Sequence, residues 1–177
     1  MNAQAGFGLW ITGLPASGKT SITRALMKKL EARNMSAVVL ESDELRLILT
    51  PKPTYGPEER DRFYKTLAML GSLIARSGVN VIFDATANKR EYRDYARSLI
   101  PNFLEAYVRC PLEVSMKRDP KGIYRDASAG KTNAVPGLQV PYEPPLNPEI
   151  VLDGEAPPEI NADLLIDIIS IDSNSLP

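Results

Sequence analysis

The most specific chemistry in this chain is carried by eight residues near its N-terminus. Gly13-Leu14-Pro15-Ala16-Ser17-Gly18-Lys19-Thr20 has the spacing GxxxxGK[ST]. Glycines let the backbone wrap closely around phosphate groups, and successive amides at a helix N-terminus favour bound anions. Amides from about Ala16 to Thr20 are expected to face a β-phosphate, with Lys19 reaching the β- and γ-phosphate oxygens. The Thr20 hydroxyl is expected to hold Mg²⁺, and Ser21 continues the helix. This set, Gly13 to Ser21, is the expected ATP site. The pattern points to a nucleoside triphosphate and leaves the second substrate unnamed.

Two carboxylates come next. Asp43 follows the apolar run ending at Leu40, and Asp84 closes the run Val79–Phe83. In a parallel sheet such positions share one edge with the phosphate loop. We expect Asp43 to orient or deprotonate an attacking hydroxyl and Asp84 to join Thr20 at the metal. A helix N-cap at Ser42 or Asp43, and a strand-end turn at Asp84, are the structural alternatives. Arg46 lies one helical turn after Asp43, Arg60 opens a long helix, and Arg90 opens the helix after the third strand. Arg118, Lys121 and Arg125 cluster at the entrance to a long loop, where a lid would add positive charge to a transferring phosphoryl group.

Composition excludes much else. The 177 residues contain no histidine and one cysteine, Cys110. A Ser-His-Asp or Cys-His nucleophile is therefore impossible, as are an imidazole base, a His-containing zinc site and an intrachain disulfide. All 21 basic residues lie at or before Lys131, alongside 14 acidic ones, whereas residues 132–177 hold eight acidic residues and no basic ones. A basic body suits an anionic ligand. Nothing resembles the arginine-rich arm of a nucleic-acid binder, and no apolar run approaches the ~20 residues of a membrane span. Met1-Asn2-Ala3-Gln4 lacks the basic-then-apolar layout of a signal peptide, so the cytoplasm is the expected compartment.

These residues need a scaffold, and the hydrophobic pattern supplies one. Short apolar runs at Phe7–Thr12, Ala37–Leu40, Val79–Phe83, Phe103–Val108 and Glu149–Leu152 read as buried strands. Between them lie helical patterns at 18–33, near Asp43, at 58–77, 89–99 and 112–118, with a closing helix at Ala162–Ile171. Residues 51–57 are a Pro-rich loop, and 119–148 are dense in Pro, Gly, Lys and Asn with little periodicity. Alternating strands and helices imply an α/β fold, a parallel sheet covered on both faces. One domain spanning 1–177 is expected, with a lid at about 117–148.

At the lid the sequence resembles the adenylylsulfate kinases. Lys117-Arg118-Asp119-Pro120-Lys121-Gly122-Ile123-Tyr124-Arg125 is similar to their RDPKGLYK segment. Ala129-Gly130-Lys131 and Pro141-Tyr142-Glu143-Pro144-Pro145-Leu146-Asn147-Pro148-Glu149 are similar to the AG and PYExPxNPE stretches. Asp43-Glu44-Leu45-Arg46 resembles DNVR. The resemblance, from about Gly6 to Asp153, implies a three-layer α/β/α P-loop nucleoside triphosphate hydrolase fold with a parallel five-stranded sheet in the order 2-3-1-4-5. It implies transfer of the ATP γ-phosphoryl to the 3′-hydroxyl of adenosine 5′-phosphosulfate with Mg²⁺, and a homodimer. Asp43 matches the residue handling the hydroxyl, Arg46 and Arg60 match substrate arginines, and Arg118 matches a lid residue near the ATP adenine.

Three segments depart from the family pattern. FSxxDRxEN is here Tyr55-Gly56-Pro57-Glu58-Glu59-Arg60-Asp61-Arg62-Phe63, so Phe63 stands at the substrate-binding asparagine. Val135 lines up with the lid aromatic that stacks on the substrate adenine. ISPxR is replaced by Ala85-Thr86-Ala87-Asn88-Lys89-Arg90, and Asp84-Ala85-Thr86 resembles the DATN-like segment of polynucleotide-kinase-type enzymes. The expected acceptor site is thus Asp43, Arg46, Arg60, Phe63, Arg90, Lys121 and Val135. A kinase of another hydroxyl acceptor and a non-catalytic ATP-binding module remain the rivals.

Overall fold

The computed structural model describes residues 5–174. The N-terminal tetrapeptide read for a signal sequence lies outside the described residues. The chain runs β1 (Gly8–Thr12), α1 (Lys19–Glu31), β2 (Ala37–Glu41), α2 (Ser42–Leu49), α3 (Pro57–Arg76), β3 (Asn80–Asp84), α4 (Arg90–Leu99), β4 (Phe103–Arg109), α5 (Leu112–Arg118), α6 (Ile123–Ser128), β5 (Ile150–Asp153) and α7 (Pro158–Asn174). All five strands are parallel, in the order β2-β3-β1-β4-β5.

Period-two alternation along β1 divides the core into two layers. Leu9 and Ile11 point to one face, where they meet Ile22, Leu26 and Leu30 of α1 and Leu165, Ile166 and Ile169 of α7. Trp10 points to the other face, among Tyr64 and Leu67 of α3 and Tyr92 and Ala96 of α4. Trp10 is opposite Phe83 in the β1–β3 register, and their rings stack at 4.5 Å and 9°. Its indole N–H is spent on the Ala85 carbonyl at 3.0 Å. A core ring thus also holds the backbone just beyond β3.

The structure extends two sequence expectations. The closing helix starts at Pro158, four residues before Ala162, because Pro suits the first turn, where no amide donor is needed. The irregular 119–148 stretch contains α6, a helix too short for periodicity to reveal. Its Tyr124 and Ala127 bury against Val135 of the lid and Ala16 of the phosphate loop.

Gly71 sits in α3 where it crosses the sheet. A Cβ at this position would lie 2.1 Å from the Phe83 ring, which is itself stacked on Trp10. Alanine normally improves a helix interior by ~1 kcal/mol. Here the overlap reverses the sign, and Gly71→Ala should lower stability by about 1–3 kcal/mol in urea unfolding. A stability gain in that variant would contradict the close packing of α3 on β3.

Candidate active site

The carboxyl ends of the strands open into a cleft of about 760 Å³, a size typical of small-ligand sites. Its wall draws on the phosphate loop, the start of α2, Tyr55, α3, the β3 end, α5, the lid and the β5–α7 turn. Seven lysine and arginine residues line it against five carboxylates, which gives it the positive balance an anion requires.

The loop between β1 and α1 is shaped by two left-handed residues, Ala16 (φ 59°) and Gly18 (φ 107°). Such a sequence of conformations turns neighbouring amides inward as an anion nest. A non-glycine residue in this region is strained by about 1–2 kcal/mol, and Ala16 is held there by packing beneath α6. Tyr124 donates its hydroxyl to the Pro15 carbonyl at 3.0 Å. Pro15, Ala16, Gly18, Lys19, Thr20 and Ser21 line the cleft, whereas Gly13, Leu14 and Ser17 do not. Ser17 is fully buried, and Gly13 and Leu14 contribute carbonyls. Lys19 donates to those carbonyls at 3.1 and 2.8 Å. Burial is the largest influence on its ammonium and pulls its pKa down to about 8, against the opposing pull of Asp84 and Asp43.

Both strand-end carboxylates line the cleft. Asp84 is buried, and desolvation pushes its carboxyl up, with Lys19 and a hydrogen bond from Thr20 acting in the opposite direction. Its Oδ2 is buried without a hydrogen-bond partner. An orphaned carboxylate oxygen beside a threonine hydroxyl fits the hard-oxygen preference of Mg²⁺. Among the described residues no group of three or more His, Cys, Asp or Glu side chains is placed to hold a metal ion.

Asp43 is the second residue of α2, whose N-cap is Glu41, a residue with no side-chain cap hydrogen bond. The N-cap reading of this residue is therefore set aside. Its side chain is 60% exposed and takes a hydrogen bond from Lys121 Nζ at 2.5 Å. Lys121 is held by this contact and by Glu41 at 3.9 Å, so the segment after α5 is tied directly to the end of β2 and the start of α2.

The arginines are brought together by α2 and α3. Arg46 is buried, pairs with Glu59 at 3.1 Å, and lies with its guanidinium 3.9 Å from the Phe63 ring centroid and 5.0 Å from that of Tyr55. Phe63 itself does not line the cleft; it forms the apolar floor under Arg46, a cation–π role in place of substrate contact. Arg60 lines the cleft and donates to Tyr55 O at 2.8 Å, to Asn88 Oδ1 at 3.3 Å and to Ala134 O. Arg118 lines the far side and donates to Gly154 O at 2.7 Å, beside the phosphate loop. Val135 reaches the cleft wall but is 3% exposed, locked in the apolar cluster with Tyr124.

Arg90 is not in the cleft. It caps the returning limb of the lid, its amide donating to Glu143 Oε2 at 2.9 Å and its guanidinium to Pro144 O at 3.2 Å. The sequence reading also missed Tyr55, Thr86 and the Gly154–Pro158 turn, which all line the cleft. Tyr55 carried a signal, as the one aromatic in the Pro-rich loop. The turn after β5 carried none.

The family model described as adenylylsulphate kinase matches residues 5–153. An adenylyl-sulfate kinase of Rippkaea orientalis is 42% identical over 147 residues, covering 83% of this chain and 81% of the relative. A probable adenylyl-sulfate kinase of Archaeoglobus fulgidus is 41% identical, covering 83% of this chain and 95% of the relative. Among solved structures, the Mycobacterium tuberculosis APS kinase in complex with AMPPNP and APS superposes with a TM-score of 0.89 at 31% identity, over 94% of this chain and 98% of that one. A shikimate kinase of Acinetobacter baumannii, at 14% identity and a TM-score of 0.64, shares the fold alone. With its phosphate loop, strand-end carboxylates and lid on one cleft, this chain belongs to the adenylylsulphate kinase family.

Proposed function

We propose that this protein transfers the γ-phosphoryl group of ATP to the 3′-hydroxyl of adenosine 5′-phosphosulfate, giving 3′-phosphoadenosine 5′-phosphosulfate and ADP. The observation that carries this reading is the meeting of Lys19, Asp43, Arg46, Arg60 and Lys121 in one cleft of a chain of this family. ATP places its phosphates on the amides from Ala16 to Ser21, with its base toward Arg118 and the Gly154–Pro158 turn. The acceptor occupies the opposite end, its phosphosulfate facing Arg46 and Arg60.

In the reaction, the 3′-hydroxyl oxygen bonds the γ-phosphorus while its proton passes to the Asp43 carboxylate. The bond from the γ-phosphorus to the β–γ bridging oxygen breaks, and ADP leaves with that electron pair. Lys19 and Lys121 neutralise the phosphate oxygens, so the chain supplies mainly position and positive charge. Mg²⁺ held by Thr20 and Asp84 would add charge neutralisation at the β- and γ-oxygens. Val135 offers an apolar wall in place of an aromatic ring, and Tyr55 and Tyr64 are the aromatic residues that line the cleft.

The Asp84-Ala85-Thr86 segment favours a second reading, phosphorylation of another hydroxyl such as a nucleotide or polynucleotide end. Two further proposals concern the setting. Leu47 and Ile48 of α2 are each 76% exposed, which supports a homodimer. Among the described residues no helix is long and apolar enough to cross a membrane, and we place the enzyme in the cytoplasm.

An acceptor screen by coupled ADP detection should show release stimulated by adenosine 5′-phosphosulfate with Mg²⁺. Stimulation by a nucleoside or oligonucleotide instead would transfer the assignment to the second reading. Asp43→Asn should lower kcat by about 10²–10⁴-fold with little change in ATP affinity; full turnover in that variant removes Asp43 from the mechanism. The lowered Lys19 pKa of about 8 sets the pH dependence. The free ammonium loses its charge as pH rises through that value, and bound phosphates favour the charged form. ATP affinity should therefore decline above about pH 8, with proton uptake on binding seen by calorimetry in buffers of different ionisation enthalpy. A flat affinity with no uptake between about pH 7 and 9 would exclude Lys19 as the titrating group.

A further inference from the structure

Asn88 stands where three parts of the cleft meet. It ends the turn after β3 and is buried. Its Oδ1 accepts from Arg60 Nη1 at 3.3 Å, and its Nδ2 donates to the Pro141 carbonyl at 3.0 Å. Its own carbonyl accepts from the Glu143 amide at 2.8 Å. Arg60, in turn, donates across to Ala134 O. The two limbs of the lid, at Ala134 and at Pro141–Glu143, are therefore tied to one buried pair, Arg60 and Asn88.

The preceding turn fixes that pair in place. Ala85 O accepts from Trp10, and Thr86 O accepts from Thr12 at 2.6 Å. Ala87 adopts a left-handed φ of 41° and is held by Tyr64 at its amide and Arg93 at its carbonyl. Strain held by so many side chains clusters where geometry matters to function. A carboxamide is also the group this junction needs, because it presents an acceptor to Arg60 and a donor to Pro141 from one plane.

We propose that Asn88 is a positioning residue that couples the aim of Arg60 to closure of the lid, so that acceptor binding and lid order strengthen each other. The inference rests on the reading of Arg60 as an acceptor-binding residue. Loss of a hydrogen bond to a charged group is large enough to be read in binding. A carboxylate at position 88 keeps the acceptor for Arg60 and loses the donor for Pro141, whereas leucine loses both.

The test uses the full chain with MgATP and the variants Asn88→Leu and Asn88→Asp. Asn88→Leu should raise KM for adenosine 5′-phosphosulfate by about tenfold, leave kcat and KM for ATP within about twofold, and speed amide exchange across 132–143. Asn88→Asp should recover most of the acceptor KM while lid exchange stays fast. A residue serving structure alone would shift both KM values or neither, and either result overturns the proposal. If the wild-type chain does not phosphorylate adenosine 5′-phosphosulfate, the acceptor assignment fails separately, and lid exchange then judges Asn88. Arg60→Met and Asn88→Leu, singly and together, should speed exchange at 134–143 non-additively; additive effects overturn the coupling. The aspartate variant keeps the test available if leucine prevents folding.

Discussion

The site depends on the hydrogen-bond register that holds β3 between β2 and β1. Asp84 is opposite Ile11 on one side and Glu41 on the other. This alignment places the phosphate loop, the Asp84 carboxylate and the start of α2 along one edge. Slipping β3 by one residue would move Asp84 and Phe83 each to the other face, removing a carboxylate from the cleft and a ring from the Trp10 stack. The register is secured because both faces of β3 are buried, with Ile82 in one layer and Val81 and Phe83 in the other.

From that edge, polar side chains extend the order into segments that have no ladder of their own. Arg93 is buried, pairs with Glu105 at 2.5 Å, and donates to the Ala87, Lys89 and Glu143 carbonyls. Arg97 bridges Glu105 at 3.6 Å and grips Glu149 with two hydrogen bonds at 2.7 and 2.8 Å. Burying such charges costs several kcal/mol per ion unless each is fully partnered, and here each donor named has an acceptor. The network thus fixes the returning limb of the lid to the sheet, next to Asp84 at the end of β3 and the turn that carries Thr86.

Charge is arranged by the same logic. Arg46 and Arg60 are kept at the cleft by aromatic faces and carbonyls, with Glu59 the single carboxylate pairing Arg46. Guanidinium groups tolerate this because they stay charged when partly dehydrated and present a flat face to rings. The cleft therefore keeps a positive balance without histidine, and burial lowers the Lys19 pKa to about 8. Phosphoryl transfer, which needs position and charge neutralisation above all, suits that inventory.

Much of this was legible in the sequence. GxxxxGK[ST] between an apolar run and a helical pattern located the loop, since phosphate wrapping demands glycine at set positions and a helix start. Alternating strands and helices gave a parallel sheet, and strand ends located Asp43 and Asp84 beside the loop. Local pattern could not say which way a cation points once its helix is packed. Arg46, Arg60 and Arg90 all begin or follow helix starts, yet α3 turns Arg60 into the cleft while α4 carries Arg90 to the lid's outer base. Phe63 aligns with a position that the family resemblance assigns to substrate, while its place in the apolar stripe of α3 points to the core, and in the structure it lies in the core beneath Arg46. Asn88, Tyr55 and the β5–α7 turn are tied to the surroundings of the site through partners at Pro141, Glu59 and Arg118. For Asn88 and the turn those partners are distant in sequence, and only tertiary packing brings them within reach. Sequence determined the chemistry available and the edge on which it gathers; packing decided which side chains share the cleft, because burial and hydrogen-bond satisfaction are settled between elements rather than within them.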